Sequence, residues 1–163
     1  MDYFRFGRGE KTLVILPGLS VQSVMGSADA VADAYRALTD DFTVYLFDRR
    51  RDLPPSYTVQ EMARDTTAAM EALGLADIYL LGVSQGGMMA MEIAAENPEL
   101  VRGLALGSTS ACVTEEPYET IGEWVQLARA GNAADLYQAF GAAPTRRRYS
   151  SSPGSSWPRP QKR

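Results

Sequence analysis

With 163 residues, 45% of them hydrophobic, the chain has the size and composition of one globular domain with its own core. Its single cysteine, Cys112, rules out an internal disulfide. The absence of histidine removes the usual general base of neutral-pH chemistry and the commonest metal ligand, so neither a metal nor a cofactor is expected. The net charge of −4 is unevenly spread: residues 1–143 hold all 20 acidic and 10 of the 16 basic side chains, which argues against nucleic acid as a partner, whereas residues 144–163 hold six basic residues and no acidic one.

The first residues, Met1-Asp2-Tyr3-Phe4-Arg5, lack the apolar stretch of a secretory signal, and no run of eighteen apolar residues follows. No membrane association is expected, and with one cysteine the expected location is the cytoplasm. Tyr3 to Phe6 reads as an edge strand. Residues 12–16 (Thr-Leu-Val-Ile-Leu) form a continuous apolar run ended by Pro17-Gly18, the pattern of a strand buried on both faces of a parallel sheet. A helix is predicted over 27–39, with Ser27 as N-cap and Val31, Tyr35 and Leu38 on one face. Residues 42–47 repeat the buried-strand pattern up to Asp48. Thr58 and Glu61 have capping-box spacing and open a helix over 59–73, whose inner stripe is Met62, Thr66, Ala69 and Leu73. A third buried strand at 78–81 leads into a helix over 85–96, stopped by Asn97-Pro98. Residues 101–106 are the last strand. Beyond Ser110 come two helices, roughly 117–130 and 132–140, split by Gly131-Asn132. The alternation of strand and helix implies right-handed crossovers and an α/β fold, a three-layer sandwich with a mainly parallel sheet flanked by helices. Pro144 to Arg163, with Arg146-Arg147-Arg148 and a Ser/Pro/Gly-rich stretch, is biased and poor in core residues, so disorder is expected there.

The chemistry lies at Gly82-Val83-Ser84-Gln85-Gly86-Gly87. By itself G-x-S-x-G is weak, arising by chance in a chain of this composition with a probability on the order of 0.1. Here it directly follows a buried strand and opens a helix, the setting of a nucleophile elbow, in which a sharp turn holds the serine in a strained conformation. Gly82 and Gly86 keep side chains out of the turn, and Gly87 lets the helix pack closely. Ser84 is the candidate nucleophile. The amide of Gln85, at the helix N-terminus, and the amide of Leu19, in the loop Pro17-Gly18-Leu19-Ser20, are the candidate oxyanion donors.

Four segments in order, Leu13-Val14-Ile15-Leu16-Pro17-Gly18, Val44-Tyr45-Leu46-Phe47-Asp48-Arg49, Leu80-Leu81-Gly82-Val83-Ser84-Gln85-Gly86-Gly87-Met88 and Asn97-Pro98-Glu99-Leu100-Val101, make residues 12 to about 110 resemble the N-terminal half of an α/β-hydrolase fold protein. Many members have His-Gly where this chain has Pro17-Gly18, so a side chain that often braces the loop is lost. The resemblance implies a Ser–acid–His triad in that chain order, with Ser84 as the serine. It also implies that 1–110 is the N-terminal part of the hydrolase core and 111–143 the start of a helical cap, while 144–163, the basic tail read as disordered from its composition, is unlike anything in the family. The fold is then an incomplete α/β-hydrolase fold, lacking the later strands with the triad acid and histidine. The expectation is a serine hydrolase for a small-molecule ester, thioester or related acyl substrate that is truncated and, without histidine, inactive. The abrupt change near Pro144 suits a shifted reading frame, which the encoding DNA past codon 143 would test. The alternative is a non-catalytic binding or interaction module that self-associates through the open strand at 101–106.

Other residues are read as structural. Asp48 is expected to anchor its loop with Arg49 or Arg50, the surrogate-acid role being the lesser reading. Arg49-Arg50-Arg51 is expected to be solvated or ion-paired. Asp65 should lie at the surface, and Cys112 should be a small packing residue. Ser108, Thr109 and Ser110 are expected to line the pocket or cap a helix. Met88, Met89 and Met91 are assigned to helix packing, with Met88 also within reach of substrate.

Overall fold

Five apolar runs become five strands of one sheet: β1 (Tyr3–Gly7), β2 (Lys11–Leu16), β3 (Phe42–Phe47), β4 (Ile78–Val83) and β5 (Val101–Gly107). The structure, a computed structural model, describes residues 1–20, 22–112 and 115–142. The basic segment expected to be disordered, 144–163, lies outside the described residues. The strand order is β1-β3-β2-β4-β5, with β1 antiparallel to β3 and every other pairing parallel. The edge strand anticipated at Tyr3 to Phe6 is therefore present.

Side chains alternate across β2 and β3 and so bury against two different layers. Leu13, Ile15, Val44 and Leu46 face one side, where Val24, Val31, Tyr35 and Leu38 cover them. Val14, Leu16, Phe47, Ile78 and Leu80 face the other, against Ala63, Met70, Met89, Ala90 and Ile93. The first group of covering residues comes from the segment around α1 (Ala28–Ala34). The second comes from α2 (Val59–Ala72) and α3 (Gln85–Glu96). This is the three-layer α/β sandwich read from the sequence. Each large apolar side chain fully buried in it contributes about 1.5–3 kcal/mol.

The helix boundaries differ in one place. The segment expected to be one helix over 27–39 is a 3-10 turn at Val24–Ser27, the short α1, and a second 3-10 turn at Arg36–Leu38. Ser27 makes no side-chain cap, its φ of −112° and ψ of 14° being far from the extended backbone that a capping serine adopts. Ser23 does the capping one turn earlier, accepting from the Met25 amide. Tightening at Tyr35, whose amide donates to the Val31 and Asp33 carbonyls, still leaves Tyr35 and Leu38 on the core. In α2 the capping box is formed: the Thr58 hydroxyl accepts from the Glu61 amide and the Glu61 carboxylate accepts from the Thr58 amide at 2.7 Å. Its buried residues are Ala63, Thr66, Thr67 and Met70. Leu73, expected on the inner stripe, is the C-cap and exposed.

The chain divides into two units, Met1–Cys112 and Val113–Arg163. In the second, α4 (Glu115–Arg129) and α5 (Ala133–Ala142) are joined through Gly131 at φ 70°. Trp124 packs on Phe140 with ring centroids 4.6 Å apart, and Asn132 accepts from the Asp135 amide to start α5. Among the described residues no helix is long and apolar enough to cross a membrane.

In the first unit β5 stands at the edge of the sheet. Leu104 and Leu106, two positions apart on one face, are 41% and 45% exposed.

Candidate active site

The site begins with a register. Leu16 of β2 pairs with Gly82 of β4, so the two neighbouring parallel strands end side by side. The loops that leave them, Pro17–Ser20 and the turn at Ser84, therefore meet at the carboxyl edge of the sheet, where open α/β sheets place their ligand crevices. The contact is close: a Cβ added at Gly18 would stand 3.1 Å from Ser84 Cβ and 3.7 Å from its Oγ.

Ser84 has φ 53° and ψ −121°, a strained backbone for any residue with a side chain, costing on the order of 1–3 kcal/mol. Four hydrogen bonds hold it there. Its amide donates to the Gly107 carbonyl at 2.9 Å. Its carbonyl accepts from the amides of Gly87 at 2.9 Å and Met88 at 3.3 Å, and from the Thr109 hydroxyl at 2.7 Å. The side chain is exposed, and among the described residues nothing bonds to its Oγ.

At each of the three glycines of the turn a side chain would meet an obstacle. A Cβ at Gly82 would meet the Gly86 carbonyl, the Gly87 Cα and the Ala90 Cβ. At Gly86 it would run into the backbone of Leu16 and Pro17, and at Gly87 into the Thr109 side chain. Gly86 thus lets α3 start directly against the end of β2. Gln85 is the first residue of α3, where a backbone amide has no intrahelical acceptor and the helix dipole favours negative charge. Leu19 is exposed in the facing loop.

One residue of the triplet that sequence reasoning expected to be solvated or ion-paired is central to this geometry. Arg49 is partly buried. Its Nη2 donates to the Pro17 carbonyl at 2.8 Å and to Gln85 Oε1 at 3.0 Å, and its Nε reaches the same Gln85 oxygen at 3.3 Å. A single guanidinium thus ties the loop after β2 to the start of α3. Burial pulls its pKa below the ordinary arginine value, opposed mainly by the Asp48 charge. It remains a cation throughout the physiological range. The other two arginines are ion-paired as expected: Arg50 with Asp65 at 2.9 Å and Asp52 at 3.1 Å, and Arg51 with Asp2 at 2.7 Å.

Asp48 anchors its loop with Arg49, as expected, though through the Arg49 backbone amide rather than its guanidinium, and with Ser23 as a second partner. One oxygen accepts from the Arg49 backbone amide at 2.8 Å and the other from the Ser23 hydroxyl at 2.5 Å. No hydrogen bond links it to Ser84 among the described residues, so the surrogate-acid geometry is not formed. Asp65 is half-buried rather than fully at the surface. It accepts from the Tyr57 hydroxyl at 2.7 Å and from Arg50, which together hold its carboxyl below the usual range, the Tyr57 bond being the larger cause.

Thr109 buttresses the turn rather than capping a helix, and Ser110 donates to the Cys112 carbonyl. Cys112 is exposed, not packed. Met89 is buried, as expected. Met88 and Met91 line a small hollow of about 220 Å³ with Val59, Gln60 and Glu92, which is separate from the main cleft. That cleft, about 650 Å³, is bordered by Gly18, Leu19, Ser23, Arg49, Tyr57 and Gln85, among others, and meets Ser84 only through its neighbours Gly18 and Gln85.

A model of the alpha/beta hydrolase fold matches residues 11–155. A putative carbamate hydrolase, RutD, of Caulobacter vibrioides is 32% identical over 104 residues, covering 60% of this chain and 37% of the relative. The mouse serine hydrolase BPHL is 28% identical over 144 residues, covering 79% of this chain and 48% of the relative. The crystal structure of a hydrolase from Pseudomonas aeruginosa superposes with a TM-score of 0.69 at 26% identity, over 85% of this chain and 52% of that one. The chain therefore spans less than half the length of these two curated relatives.

Proposed function

Since the chain belongs to the alpha/beta hydrolase fold family, we propose that Ser84 is the nucleophile position of a serine hydrolase acting on an ester, thioester, carbamate or related acyl group. The supporting observation is the conformation of Ser84: strained at φ 53°, exposed, and set against Gly18 at the ends of β2 and β4. Names of relatives, a carbamate hydrolase and a serine hydrolase, agree with acyl chemistry.

In that reaction Ser84 Oγ adds to the acyl carbon, and the carbonyl oxygen takes up negative charge. The Leu19 and Gln85 amides donate to that oxygen, and the α3 dipole adds to the stabilisation. Strain in the turn is held by the Thr109, Gly87, Met88 and Gly107 bonds, so the hydroxyl is presented without reorganisation at the moment of attack.

Attack also needs a base to take the hydroxyl proton. In this family that base is a histidine, and these 163 residues contain none. Ser84 here is an un-ionised alcohol, and removing a triad member leaves only ~10³–10⁴-fold over water, from the donors and binding alone. The reading is a hydrolase site that within these 163 residues has a nucleophile turn and electrophilic donors but no histidine to carry the proton. Incubation with a fluorophosphonate probe tests it. Slow, substoichiometric labelling confined to Ser84 is expected, whereas rapid stoichiometric labelling would show that a base is present after all.

A second reading is favoured by β5, whose edge and exposed Leu104 and Leu106 suit strand addition by another copy of the chain. Light scattering over a concentration series decides it, a monomer at all concentrations counting against self-association.

A further inference from the structure

The cleft bordered by Leu19 and Gln85 holds one guanidinium that no carboxylate pairs with directly, the nearest charge acting on it being that of Asp48, which borders the same cleft. Three arginines border it, Arg49, Arg50 and Arg51. Arg50 is paired with Asp52 and Asp65, and Arg51 with Asp2. Arg49 has no carboxylate within ion-pair distance among the described residues. Its two bonded partners, the Pro17 carbonyl and Gln85 Oε1, are neutral. The nearest carboxylate in sequence, Asp48, is committed to the Arg49 backbone amide and the Ser23 hydroxyl.

The donor count points the same way. Nε and Nη2 are used, while Nη1 has no acceptor among the described residues. Nor is Nη1 sealed off, because no buried side-chain nitrogen or oxygen lacks a partner. A guanidinium presents its donors in a planar fork, and a free nitrogen beside used ones is suited to a planar anion. Partial burial makes this charge costly, as the lowered pKa of Arg49 indicates, and an incoming anion would offset that cost.

Arg49 is bonded to Gln85 and to the Pro17 end of the loop bearing Leu19, and it borders the same cleft as Gly18, Leu19 and Gln85, which are the residues flanking Ser84. The geometry points to a carboxylate-bearing acyl compound as the ligand of this cleft, with its anionic end on Arg49 Nη1 and its acyl end at Ser84. This deepens the hydrolase reading and rests on it for the orientation of the acyl end. The carboxylate preference itself rests on Arg49 alone.

The test is an NMR titration of the full chain with monoethyl succinate, which carries one ester and one carboxylate, and with diethyl succinate, its uncharged counterpart. The monoester is expected to bind at least about tenfold more tightly, the order of one charge-assisted hydrogen bond. Its saturation should move the Arg49 Nε–H and the Leu19 and Gln85 amides together. Arg49→Gln, which keeps donors but removes the charge, should abolish the preference. Equal affinity for the two esters, shifts centred on Arg50 or Arg51, or a preference retained in Arg49→Gln would each overturn the proposal. Should Arg49→Gln fail to fold, the wild-type affinities and shift locations still decide. None of these readouts needs turnover, so their failure is distinct from that of the fluorophosphonate test of Ser84.

Discussion

Replacing Gly86 by alanine sets two effects of opposite sign against each other. Gly86 lies in the first turn of α3, where alanine is worth up to about 1 kcal/mol over glycine in helix propensity. Against that, the new Cβ would lie about 2.5 Å or less from the Leu16 and Pro17 backbones. The Leu16 backbone cannot yield cheaply, because Leu16 is fully buried and in register with Gly82. Either β2 or α3 must move by roughly 1 Å, and overpacking of this kind costs about 1–3 kcal/mol or more. The steric term wins, and a net loss of about 2 kcal/mol is expected, roughly 4–8 °C in Tm for a chain of this length. Urea unfolding followed by circular dichroism measures it as a lower midpoint at unchanged slope. Gly26→Ala is the control, since a Cβ there meets nothing within 4 Å, and it should be neutral or stabilising. If Gly86→Ala is as stable as wild type within about 0.5 kcal/mol, the close approach of α3 to β2 is not what the glycine provides.

Two further outcomes follow from the hydrogen bonds around the site. Thr109→Val keeps the shape against Gly87 but removes the donor to the Ser84 carbonyl, which still has two amide donors. The expected cost is about 1 kcal/mol by urea unfolding, and no measurable loss would mean that the hydroxyl does not hold the turn. Tyr57 has its pKa raised to about 12, first by burial and then by its bond to Asp65. A raised pKa in the folded state means that this hydroxyl's contribution to stability is complete below the unfolded value near 10. It is then lost as the pH climbs from about 10 through about 12. The tyrosinate absorbance that disappears in Tyr57→Phe should titrate late and move to lower pH in Asp65→Asn. If that absorbance titrates at about pH 10, the Asp65 bond is not formed.

The parts of the molecule legible in the sequence are those whose causes are local. Leu13 to Leu16 and Phe42 to Phe47 announce buried strands because both faces are covered. Thr58 and Glu61 announce a helix start because three residues suffice to make the box. The Ser84 turn was legible because strand, glycines and helix are contiguous. Arg49 was not, because its partners lie 32 and 36 positions away and an arginine triplet reads as surface charge until a register brings Pro17 and Gln85 to it. Thr109 escaped for the same reason, its acceptor being 25 residues upstream. Ser27 misled because a serine before an alanine-rich stretch satisfies the composition of a cap, whereas the backbone had already turned at Ser23.

The pairing of Leu16 with Gly82 has a consequence for how far the site can be divided. The serine and Gln85 come with β4 and α3, but Gly18 and Leu19 come with β2, more than sixty residues earlier, and Arg49 comes with β3 between them. A peptide covering 78–96 would carry the whole serine motif and none of the facing loop. Nor could the motif be transplanted to another strand–helix junction and keep its donors. The smallest piece that holds the arrangement runs from β2 through β5 to Thr109, whose hydroxyl, with the Gly107 carbonyl, holds Ser84, so whatever chemistry this chain supports is a property of the folded sheet and is absent from every shorter segment.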